Sequence, residues 1–80
     1  MPVPAGLGPN EQTSAARYGA FRAEMAQIIN DTSVTGQKKA AMMQAVNNCL
    51  PASKPVDFTN AELTSCLTDI VLQLPVIASG

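Results

Sequence analysis

With 80 residues the chain can build one small core, so a partner or a covalent staple would be a useful source of extra stability. Hydrophobic residues make up 46% and charged residues only 14%, against roughly 25% in ordinary soluble domains, and a surface so poor in charge points to partial cover by another molecule. A net charge of −1 gives no general attraction for phosphate backbones, and the lack of histidine removes histidine-based triads and the usual zinc nitrogen ligand.

The first nine residues hold three prolines and two glycines, which predicts an extended arm over 1–9. This start has neither a basic region nor an apolar stretch of the secretory kind, and no apolar run approaches the roughly 18 residues that span a bilayer. The expectation is a soluble chain with no membrane partner. Asn30-Asp31-Thr32 fits the N-glycosylation pattern, which means little without a secretory setting.

Gly8-Pro9-Asn10 offers a helix start, with Glu11 favourable against the positive end of the dipole, so a first helix is predicted from about Asn10 to Asn30. At 100° per residue, Tyr18, Phe21, Met25, Ile28 and Ile29 share one face, the expected core stripe. Ala15, Ala16, Gly19, Ala20, Ala23 and Ala26 make a second, smooth face. It suits either close approach of another backbone or simple helix propensity on a solvent side.

Asn30 to Gly36 is rich in turn residues, and a second helix is predicted from about Thr35 to Leu50, stopped by Pro51. Its apolar face holds Met42, Ala45, Val46, Cys49 and Leu50, with Gln37, Gln44, Asn47 and Asn48 opposite. Pro51 to Asp57, with a second proline at 55, reads as a stiff connector.

Phe58-Thr59-Asn60-Ala61-Glu62-Leu63 combines a capping box between Thr59 and Glu62 with a staple of Phe58 on Leu63. The helix it starts, predicted over 60–74, carries Leu63, Cys66, Leu67, Ile70, Val71 and Leu74 at core-facing spacing. Leu72 points away from that stripe. Pro75 is expected to end the helix, leaving 75–80 as a short apolar tail that folds back on the core or else reaches a neighbour.

These elements predict an all-α fold, a small three-helix bundle over 10–74 with an N-terminal arm and a C-terminal tail. No phosphate-binding glycine pattern is present, and two cysteines without histidine do not make a four-ligand zinc site, so neither cofactor nor metal is expected, and no enzyme activity. Cys49 and Cys66 lie on apolar faces, seventeen positions apart. An antiparallel hairpin would let them form a disulfide, worth about 3 kcal/mol in the chain-entropy model. Two buried free thiols are slightly favoured, given no export signal.

The expected function is that of a non-enzymatic assembly subunit, binding copies of itself or a larger particle, in the manner of virion or phage accessory proteins. Ala16, Gly19, Ala20, Ala23, Leu72, Val76 and Ile77 are the candidate interface. One alternative is a helical adaptor or regulator that binds a protein or nucleic acid through helix 2. Lys38 and Lys39 open that helix, but no arginine accompanies Gln44, Asn47 and Asn48. A second alternative is a secreted or inhibitor-type domain stapled by Cys49 and Cys66.

Overall fold

A computed structural model describes residues 5–80, so the first four residues of the expected arm lie outside it. Three helices follow in order: α1 (Ala15–Asp31), α2 (Gly36–Cys49) and α3 (Asn60–Ser79). Helix α2 packs against both of its neighbours, whereas α1 and α3 scarcely touch. The result is an all-α bundle with one open seam.

The core joins Tyr18, Met25 and Ile29 of α1, Met42 and Val46 of α2, Leu63, Ile70 and Leu74 of α3, and Leu50 and Phe58 from the connector. Full burial of such a side chain contributes about 1.5–3 kcal/mol. Tyr18 and Phe58 meet edge to face, with centroids 5.1 Å apart. Ile28, expected in the core stripe, is instead 43% exposed. Because α1 and α3 stand apart at that level, its side of α1 has no covering helix.

Helix α1 begins five residues later than its local signals predict, at Ala15. Ser14 is its cap, accepting a hydrogen bond from the Arg17 amide at 3.1 Å. The residues before it are committed elsewhere. The Asn60 amide donates to the Glu11 carbonyl at 2.9 Å, the Ala61 amide to the Pro9 carbonyl at 3.0 Å, and the Thr13 amide to the Phe58 carbonyl at 2.8 Å. The first amides of a helix have no partner within it, and here the upstream segment supplies two of them with acceptors. A helix from Asn10 would turn those carbonyls inward. Gly6, at φ +83°, makes the left-handed turn that opens this segment.

Helix α2 ends where proline chemistry demands, with Leu50 as its cap before Pro51. The capping box of α3 is complete: the Glu62 amide donates to the Thr59 hydroxyl at 3.3 Å, and the Thr59 amide to a Glu62 carboxylate oxygen at 3.1 Å. Pro75, however, does not stop α3, which runs through it to Ser79. The expected tail is therefore about one and a half further turns of helix rather than a segment folded back on the core. An interior proline costs about 3 kcal/mol through its missing amide and ring clash. In the continued helix Ile77 and Ala78 pack against the core, and their burial offsets that cost.

Candidate protein-binding face

The open seam between α1 and α3 is a groove of about 370 Å³. Met25, Ile28 and Thr32 form one wall, Val71, Leu74, Pro75 and Ala78 the other, and Met42 contributes from α2. No charged residue lines it. Pro75 lies in the wall of the groove, and the amide it lacks would have bonded the Val71 carbonyl. The apolar surface continues around α3, where Val71 is 59%, Leu72 66% and Val76 70% exposed. From Ile70 to Gly80 no residue is charged.

Reading through Pro75 also lengthens α3 to 20 residues, with a mean hydropathy of 1.4 over an 18-residue stretch of it, long and apolar enough to cross a membrane by length and composition alone. That corrects the expectation of no span-length apolar segment. A mostly buried core helix meets the same test, whereas only 17% of this stretch is buried, namely Leu63, Ile70 and Leu74.

Of the other candidate interface residues, Ala16 and Ala20 lie exposed on α1, away from this groove. Gly19 and Ala23 line a different pocket of about 390 Å³ between α1 and α2, with Arg22, Met43, Val46 and Lys54 among its walls. Ile77 is half-buried against the core. The structure thus places Leu72 and Val76 beside the groove and does not gather the alanine-glycine face with them.

Cys49 and Cys66 are joined by a disulfide, with Cα atoms 5.5 Å apart, which corrects the expectation of two buried free thiols. The antiparallel packing of α2 on α3 decides this, because it brings the last turn of one to the second turn of the other. Both cysteines are half-buried and border a shallow pocket with Pro51, Pro55, Phe58 and Ser65.

The basic residues of the first half are largely structural. Arg22 donates from Nε to the Leu50 carbonyl at 2.8 Å and from Nη2 to the Asn47 Oδ1, closing the end of α2. Arg17 lies over the Phe21 ring, 5.6 Å from its centroid, and Lys38 Nζ donates to the Ala78 carbonyl at 3.2 Å. Tyr18 donates its hydroxyl to the Pro51 carbonyl at 2.6 Å, and burial pushes its pKa up, opposed in part by the Arg22 charge. Among the described residues no group of three or more His, Cys, Asp or Glu could hold a metal ion.

Sequence reasoning missed Thr13 and Asn60, both buried. The Asn60 amide binds four groups: its Oδ1 accepts from Thr13 and Arg17, and its Nδ2 donates to the Gly6 and Gly8 carbonyls. No periodicity marks either residue, because the partners come from an irregular segment. Compared with known proteins, the chain matches no family model, no curated protein and no solved structure.

Proposed function

We propose that this chain is a non-enzymatic assembly subunit that binds another protein through the α1–α3 groove and the exposed side of α3. The observation that carries the reading is the continuity of uncharged apolar surface from Ile28 across Val71 and Pro75 to Leu72 and Val76, at one end of a sparsely charged chain. Large exposed apolar patches mark interaction sites, and a groove between two helices suits the apolar face of a third. Nothing in the fold or the comparisons supports a virion or phage setting in particular, so the proposal stops at protein–protein assembly.

The adaptor reading through α2 has less behind it, since the Asn47 amide oxygen is already taken by Arg22. The secreted-domain reading has one specific observation in its favour, the Cys49–Cys66 bond, because disulfides persist in oxidising compartments. It is compatible with assembly. The mass of the chain isolated from its source without reductant, two hydrogens lighter if bonded, tests that setting.

A photoreactive residue in place of Leu72, compared with one in place of Gln44 on α2, tests the binding face in cells of the source. Crosslinking to a defined protein from position 72 and not from 44 is the expected result. Equal or absent labelling at the two positions would remove the reading.

A further inference from the structure

We propose that the occupant of the exposed side of α3, beside the α1–α3 groove, is a second copy of the chain, docked by an antiparallel two-fold pairing of the two α3 helices; this rests on the assembly reading above. Ser65, Asp69, Leu72, Val76 and Ser79 recur on α3 at intervals of four, three, four and three. That is the spacing of a helix-pairing seam. It lies on the side of α3 away from buried Leu63, Ile70 and Leu74, and all five of its residues are exposed.

A two-fold axis midway between Leu72 and Val76 sets Leu72 of each copy on Val76 of the other. The same operation brings Asp69 opposite Ser79 of the second copy. Lys38 stands at that end of α3, with its Nζ on the Ala78 carbonyl. The seam's one charged residue therefore meets a cation twice, once in each direction. A parallel pairing would instead stack Asp69 on Asp69, and like charges at close quarters select against it. A lipid surface would cover Leu72 and Val76 but leave the Asp69 carboxylate at its edge without a partner.

Asp69 to Ser79 covers about 15 Å of helix, shorter than a standard interface requires, so the dimer depends on concentration and is not permanent. Sedimentation of the full chain over roughly 5–500 µM should show a dimer that grows with concentration. Leu72→Asp should leave a monomer with an unchanged melting temperature, since Leu72 supports no core contact. Asp69→Lys should weaken association roughly fivefold and Lys38→Glu in the same chain should restore it, the size expected of two exposed ion pairs.

A monomer at every concentration, or a dimer indifferent to Leu72→Asp, would overturn the proposal. So would binding to anionic phospholipid vesicles by a chain that stays monomeric in solution. If the photoreactive residue at position 72 captures a different protein while the chain sediments only as a monomer, the second copy is wrong and the assembly reading stands.

Discussion

Thr13 donates its hydroxyl to Oδ1 of Asn60 at 2.9 Å across 47 positions of sequence, and both side chains are buried. Asn60 in turn holds the Gly6 and Gly8 carbonyls at 2.8 and 2.9 Å. One amide thus fastens the segment before α1 to the start of α3, with its oxygen doubly and its nitrogen doubly engaged. Neither the described part of the arm nor the first turn of α3 stands alone.

Replacing Asn60 with Ala should cost about 2–3 kcal/mol, because it strands the Thr13 hydroxyl and two carbonyls that Asn60 now satisfies. Urea unfolding gives the size, and hydrogen exchange should show the Thr13 amide opening ahead of the core. A loss below about 0.5 kcal/mol would mean that water replaces the network without penalty.

The disulfide spans 17 positions, a closure worth about 3 kcal/mol in the chain-entropy model. For a domain of this size each kcal/mol moves the melting temperature by about 4–8 °C, so the Cys49→Ala, Cys66→Ala double variant should melt roughly 12–24 °C lower. Differential scanning calorimetry decides it. A drop of only a few degrees would show that residual structure already restrains this loop in the unfolded chain.

Tyr18 has its pKa raised by burial, so the folded state binds its proton more tightly than the unfolded state. The stability this contributes is fully present below the ordinary tyrosine value, about 10, and is lost as pH rises through the folded value. Unfolding free energy measured by urea from about pH 8 upward should fall on the alkaline side. Tyr18→Phe should lower stability at neutral pH through loss of the Pro51 hydrogen bond and flatten the alkaline decline. An identical slope in both proteins would assign the decline to other groups.

Pro75 lies inside α3 with no amide to give the Val71 carbonyl. Pro75→Ala restores that bond at an exposed position, and stability should rise by about 1–3 kcal/mol in urea. A loss instead would show that the proline's fixed backbone, or its place in the groove wall, matters more than the missing bond.

The chain's amino-acid order determined whatever a single turn or one helix face can encode. The Thr59–Glu62 box, the stop at Leu50 before Pro51, and the buried stripes through Tyr18, Met25 and Ile29 and through Leu63, Ile70 and Leu74 are all local patterns, and Leu72 was legible as facing outward. Tertiary structure decided the rest. Helix α1 starts at Ala15 because the carbonyls of Pro9 and Glu11 are drawn to α3, and α3 passes Pro75 because Ile77 and Ala78 have a core to reach. Cys49 bonds Cys66 because two helices lie antiparallel, and Ile28 faces an open groove because α1 and α3 diverge. Each of these depends on partners at least 17 residues away, whose positions are set by packing energy rather than by any signal within a turn.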